Sequence, residues 1–357
     1  MSFLENIKPS VRALETYAVK GKPLSPELIK LNQNENPFDL PDALKRELSE
    51  EFFHTSWNRY PDVFPTHLLG ALSNYVNHPV EGIIAGNGSN ELMYTILMAT
   101  VSRGTKVLIP SPTFFLYEKA VKIFEGEVVE VLMNDELQFD TEKILAAAKK
   151  ENPSLIILVS PNSPTGQSIS IADVERILNG TSGIVVVDEA YIEFSNKQSA
   201  QSLVARYDRL IVLRTFSKAF SMAGLRIGYL LAQPALCNEL LKPKIPFTVN
   251  NFSASIAIKL MLNASLVQER IHYIKIQKEF LYHALYEMKK VRVFPSDSNF
   301  LIFKTEYDAG ALFTKLFDDN VLVRDVSSYP MLEKTLRVNA GTEEENKKFI
   351  SVLHKNL

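Results

Sequence analysis

Between residues 82 and 232 the chain repeats one pattern: a short strand-forming run, a polar turn, then a segment whose apolar residues recur at helical spacing. The runs cover residues 83–84, 106–109, 127–132, 155–159, 183–187, 211–216 and 229–232. Residues 155–159 read LIILV, with no polar alternation, so such a strand must be covered on both faces. Helical segments fall between the runs, in LMYTILMATV after Glu91 and over 114–124, 141–149 and 171–178. Strands joined through helices lie side by side in parallel. The pattern therefore predicts an α/β protein with a large domain built on a mostly parallel seven-stranded sheet between helices.

The flanks differ. Residues 1–40 carry Pro9, Pro23, Pro26 and Pro37 and read as an extended arm with one short strand at 29–31. Residues 41–53 form a helix, 57–61 a polar-aromatic loop, and a second helix runs through Leu68, Leu72 and Tyr75. After Pro243 the alternation stops. A long helical region spans 251–288, followed by strands at 291–294 and 299–303, a helix at 311–318, strands at 321–324 and 336–339, and a last helix over 343–354. This is a smaller α+β unit, and it sets the expected division: arm 1–40, large domain 41–247, small domain 248–357. The lysines and arginines of 270–290 recur at helical spacing and read as a solvated face.

Composition narrows the function classes. Lys plus Arg is 39 against 41 for Asp plus Glu, so no global basic field recruits nucleic acid or a membrane surface. Cys237 is the single cysteine, which rules out an intrachain disulfide framework and suits a reducing compartment. The first residues show no signal-peptide pattern and no apolar run is of spanning length, so the expectation is a cytoplasmic protein.

The chemistry gathers at the strand ends. Residues 211–229, IVLRTFSKAFSMAGLRIGY, place Lys218 just past a central strand, in the crevice where open α/β sheets hold ligands. Desolvation there moves an amine toward the nucleophilic range. Ser217 and Arg226 flank it and can bind a phosphate. Gly88, Ser89 and Asn90 open a helix whose N–H groups can face an anion, or else they are ordinary capping residues. Asp188 either caps a helix or pairs with a protonated ring nitrogen, and Tyr191 either aims its phenol at the same ligand or is core. Phe114 either stacks on a planar ring or packs inside. Together these parts specify a planar, phosphorylated, nitrogen-containing aldehyde held through the lysine amine.

The segments LNQNENP, WNRYPD, GNGSNE, PTFFLYE, SPNSPTGQ, VVVDEAYIEF, RTFSKAFSMAGLRIGY, SNFLIF and LRVNAG are spread over nearly the whole chain. DEAYIEF followed about thirty residues later by FSKAF and AGLRIG is the most specific order among them. In these the chain resembles the fold-type I pyridoxal-phosphate aminotransferases, and most of all the histidinol-phosphate aminotransferase family. The resemblance implies pyridoxal 5′-phosphate bound covalently to Lys218, with Lys218 also moving the proton at Cα. It implies Asp188 on the pyridine nitrogen, Tyr191 on the phenolic oxygen and Phe114 stacked on the ring. Gly88, Ser89, Asn90, Ser217 and Arg226 would take the phosphate. Tyr60 would reach the same phosphate across a homodimer interface. Arg337, Arg324, Tyr17 and Asn34 would contact substrate. One departure stands out: relatives read Asn-Asn-Pro-Thr-Gly where this chain has Asn162-Ser163-Pro164-Thr165-Gly166, so the contact to the phenolic oxygen falls to Ser163, to a rotated Asn162, or to Tyr191 alone.

The implied reaction is amino transfer between L-histidinol phosphate and 2-oxoglutarate in histidine biosynthesis, with ping-pong kinetics. Related enzymes act on aromatic amino acids, and one branch decarboxylates threonine phosphate. A ligand-sensing regulator of the same fold would carry an added DNA-binding domain, which the charge balance does not suggest. A dinucleotide-binding oxidoreductase would need a third glycine where Glu91 stands.

Overall fold

A computed structural model describes residues 3–16 and 27–357 of the protein. The arm holds α1 (Pro9–Arg12) and β1 (Ile29–Lys30), and is followed by α2 (Asp42–Phe53) and α3 (Thr66–Val76). The alternating region then runs β2 (Ile83–Gly86), α4 (Ser89–Thr100), β3 (Lys106–Ser111), α5 (Leu116–Ile123), β4 (Glu127–Leu132), α6 (Thr141–Glu151), β5 (Leu155–Val159), α7 (Ile171–Gly180), β6 (Ile184–Asp188), α8 (Gln201–Val204), β7 (Leu210–Thr215) and β8 (Gly228–Leu231). Its seven strands form one sheet in the order β2-β8-β7-β6-β5-β3-β4. Only β8 runs against its neighbours, β7 and β2. No helix separates β7 from β8, so the chain folds straight back and Thr215 pairs with Gly228. That hairpin leaves residues 216–227 at the carboxyl edge of the sheet, beside the ends of β2, β3, β5 and β6.

Strand geometry sorts the core into two layers. Ile156, Leu158, Val185, Val187 and Val212 pack on one face, while Leu155, Ile157, Val159, Val186, Ile211 and Leu213 pack on the other. Both faces are dry, as the apolar runs require.

The remainder is α9 (Pro234–Leu241), α10 (Asn251–Leu262), α11 (Ala264–Tyr286), β9 (Val291–Val293), β10 (Phe300–Thr305), α12 (Ala309–Asp318), β11 (Val321–Leu322), β12 (Arg324–Asp325), β13 (Thr335–Asn339) and α13 (Glu343–Asn356). The antiparallel sheet β12-β13-β10-β9 forms the second unit. β1 pairs in parallel with β11, so the arm is fastened to this second unit.

Four local expectations change. The helical region 251–288 is two helices, because Asn263 leaves helical backbone and bonds Lys259 O through its own amide. The single strand expected at 321–324 divides, β11 pairing with the arm and β12 with β13. Helix α9, with proline at its first turn, has no counterpart in the periodicity reading. The solvated basic face fails at Lys278, which is buried and donates to Ser296 O, and at Arg270, which donates to Asp39 O and Ser221 Oγ. Among the described residues no helix is long and apolar enough to cross a membrane.

Candidate active site

Loops from the carboxyl edge of the large sheet meet β12, β13 and residues 32–35 around a cavity of about 320 Å³. Twelve of the expected residues line it: Asn34, Ser89, Asn90, Phe114, Ser163, Asp188, Tyr191, Ser217, Lys218, Arg226, Arg324 and Arg337. A wider cavity of about 450 Å³ adjoins it and shares Phe114, Phe115, Arg324 and Tyr329.

One end of the cavity is built from α4 and the β7–β8 loop. Gly88 is the N-cap of α4 and supplies no side chain to its amides, so the helix opens at Ser89 and Asn90 without a side-chain cap. Gly88 adopts φ +79°, and a Cβ there would lie 2.5 Å from Arg226 Nη2. The guanidinium is therefore packed on bare backbone. Arg226 itself has φ 56°, an uncommon conformation for a residue other than glycine, and donates to Ser217 Oγ at 3.1 Å and Ala223 O at 3.0 Å. Uncapped helix amides, a hydroxyl and a fixed guanidinium make a cradle for a phosphate-sized dianion.

At the centre, Lys218 Nζ donates to Gln33 O at 2.7 Å and lies 5.9 Å from the centre of the Tyr191 ring. Its pKa is pushed down to about 8, first by desolvation, then by Arg337, with Arg226 and Lys30 adding to this and Glu35 opposing it. A sizeable share of this amine is neutral near pH 8. Asp188 ends β6, is 6 % exposed, and has its pKa pushed up to about 6 by burial. Ala190 N donates to its Oδ1 at 3.1 Å and Tyr117 Oη to its Oδ2 at 2.8 Å. Asp188 caps no helix. Tyr191 accepts from Asn34 Nδ2 at 3.0 Å, and burial raises its pKa.

Another side of the cavity is cationic. Arg337 donates to Ser163 Oγ at 3.0 Å and Asn32 O at 2.9 Å. Arg324 faces Arg337 in register across β12 and β13, and both line the cavity.

Two expected residues stand elsewhere. Asn162 is fully buried behind the loop, its amide donating to Pro112 O and Thr165 Oγ1 while its carbonyl accepts from Thr113. It has no freedom to rotate in, and Ser163 alone of the pair faces the cavity. Tyr60 is 82 % exposed and packs on Phe247 at 4.9 Å, outside the cavity of the single chain. Tyr17 lies outside the described residues. Sequence reasoning passed over Tyr117, which reads as one more apolar position of α5 and whose partner Asp188 lies 71 residues on. It also passed over Gln33, Asn32, Phe115 and Tyr329, which act through backbone carbonyls or through a fold-dependent approach. Among the described residues no group of three His, Cys, Asp or Glu side chains is placed to hold a metal.

The family described as aminotransferase class I and II matches residues 26–353 of this sequence. A histidinol-phosphate aminotransferase of Chlorobaculum tepidum is 44 % identical over 349 residues, covering 98 % of this chain and 99 % of its own. The chain belongs to the class I and II aminotransferases, in the histidinol-phosphate aminotransferase family. This aminotransferase also shares its fold with two solved structures. The histidinol-phosphate aminotransferase of Clostridium acetobutylicum superposes with TM-score 0.85 at 24 % identity, over 92 % of this chain and 98 % of that one. That of Sinorhizobium meliloti, solved in complex with pyridoxal-5′-phosphate, superposes with TM-score 0.87 at 22 % identity, over 99 % and 97 %.

Proposed function

We propose that this aminotransferase uses pyridoxal 5′-phosphate to exchange an amino group between L-histidinol phosphate and 2-oxoglutarate, as a step in histidine biosynthesis. The names of its relatives support this, among them the Chlorobaculum tepidum protein at 44 % identity. The observation that carries the substrate class is the registered pair Arg324 and Arg337. Like charges directly opposite on neighbouring strands repel, and both point into one cavity. Such a pair is at ease only with a strongly anionic guest, which suits a substrate phosphate better than the neutral side chain of an aromatic amino acid.

The cofactor fits the residues present. Bare Gly88, uncapped α4 and Arg226 suit its phosphate, buried Asp188 suits its ring nitrogen, and Phe114 suits its face. When bound, pyridoxal phosphate supplies an aldehyde for covalent attachment and a ring that withdraws electrons from the substrate Cα. Lys218 would provide the attaching amine and, once displaced by substrate, take up and return the Cα proton. Asp188 would accept the ring N–H. Tyr191 and Ser163 would bond the phenolic oxygen, with Ser163 standing where relatives have asparagine. Arg337, Arg324 and Asn34 would orient substrate.

A homodimer belongs to the same reading. Phe53, Trp57, Tyr60 and Phe64 are all more than half exposed, an apolar surface that a second copy would cover while bringing Tyr60 to its partner's phosphate site. The division into arm 1–40, large domain 41–247 and small domain 248–357 is likewise proposed, as is a cytoplasmic location, which suits the single, buried Cys237. The test is turnover with histidinol phosphate, phenylalanine and threonine phosphate side by side. Amino transfer from histidinol phosphate should lead by well over tenfold. Release of carbon dioxide without amino transfer would overturn the assignment.

A further inference from the structure

Asp188 poses a problem that its own burial creates. To keep a ring nitrogen protonated the acid must be ionised, yet burial, with a smaller push from Glu189 next along the chain, raises its pKa to about 6. Glu189 is itself engaged by Arg214 at 2.9 Å, and Tyr191 adds no positive charge. Lys218 shares the cavity. Among the described groups the only side chain bonded to Asp188 is Tyr117, at 2.8 Å from Oδ2.

Tyr117 is built to do one thing. It is 2 % exposed and does not line the cavity. Its own ionisation is suppressed by burial and by the charge of Asp188, so its phenol is always a donor. It sits in the first turn of α5, where its N–H donates to Phe114 O at 3.1 Å, and its ring meets that of Phe114 edge-on at 6.3 Å. One turn of chain thus fixes both the ring that would cover the cofactor face and the donor that steadies the acid at its edge. With Ala190 N on Oδ1, each carboxylate oxygen has one protein donor and keeps a lone pair for the ligand.

We propose that Tyr117 is a positioning residue that holds Asp188 ionised and aimed at the ring nitrogen of the cofactor without itself touching it. This rests on the pyridoxal-phosphate reading above. The phenol is felt only by a ligand that has a ring nitrogen.

The test compares pyridoxal phosphate with its 1-deaza analogue, in which carbon replaces the ring nitrogen, binding to cofactor-free protein. Tyr117→Phe keeps the ring against Phe114 and removes only the hydroxyl. It should weaken pyridoxal phosphate about tenfold, the scale of one hydrogen bond to a charged group, and leave the analogue unchanged. The acid limb of the affinity–pH profile should move upward, because Asp188 then takes its proton at higher pH. In an Asp188→Asn background the same hydroxyl should make no difference to either ligand. Equal weakening of both ligands would reduce Tyr117 to a packing residue and overturn the proposal, as would no weakening of either. A wild-type protein that binds neither would overturn the cofactor reading itself and this inference with it.

Discussion

Lys218 has the property a captured aldehyde requires, and it carries a cost in stability. Its folded pKa is about 8 against 10.5 ordinarily, so between those values the unfolded chain binds more protons and stability rises with pH. At pH 7 the folded protein bears a charge its surroundings disfavour. Cofactor-free Lys218→Met should therefore unfold at a higher denaturant concentration than wild type at pH 7, by about 1–2 kcal/mol, and the gap should close toward pH 10.5. For the same reason the rate of cofactor capture by the wild type should climb through about pH 8, followed by absorbance. Arg324→Ala should raise KM for histidinol phosphate by about 30-fold or more, the scale of a lost charge-assisted bond, while disturbing a substrate without phosphate far less. A uniform loss across substrates would remove the argument from the arginine pair.

At the scale of elements, residues 29–34 behave as a strap. Leu31 exchanges bonds with Leu322 and Asn339, Asn34 N donates to Asn339 Oδ1 at 3.1 Å, and Asn34 O accepts from Asn299 at 3.1 Å. Its carbonyls hold Lys218 and Arg337. Asn339→Ala leaves a buried N–H without its acceptor and should cost about 1–3 kcal/mol in denaturant unfolding, with a higher KM although position 339 does not line the cavity. The seven strands, by contrast, were legible because apolar runs bounded by turns have one reading. Where the reading went astray, the cause was tertiary. Arg324 switches sheets because Val321 and Leu322 are taken by the arm, and Lys278 is buried because a distant carbonyl receives it. Asp188 could be found because it ends a strand, and Lys218 and Arg226 because they sit in the loop between two strands. Tyr117 looked like one more apolar helical position, and nothing in its neighbourhood along the chain announces that Asp188, 71 residues on, will need it.

For the whole molecule, the question is whether two chains share each cavity. Lys218→Ala and Tyr60→Ala proteins should each be nearly inactive. Refolded together they should regain activity, because a mixed dimer has one site free of both changes. No recovery, with mixed dimers demonstrated by mass, would place Tyr60 outside its partner's site. Expected mass on sizing is that of two chains at micromolar concentration.

The strap also orders events in time. Asn32 and Arg337, or Asn34 and Asn339, are 305 residues apart in sequence, and every such bond waits on the synthesis of β13. A growing polypeptide still on the ribosome can assemble the large sheet early, yet the carbonyl that steadies the reactive amine reaches its place only when residues 335–339 have emerged. Vitamin B6 loading should therefore follow the synthesis of β13, and an arrested nascent protein ending before Thr335 should fail to take the coenzyme.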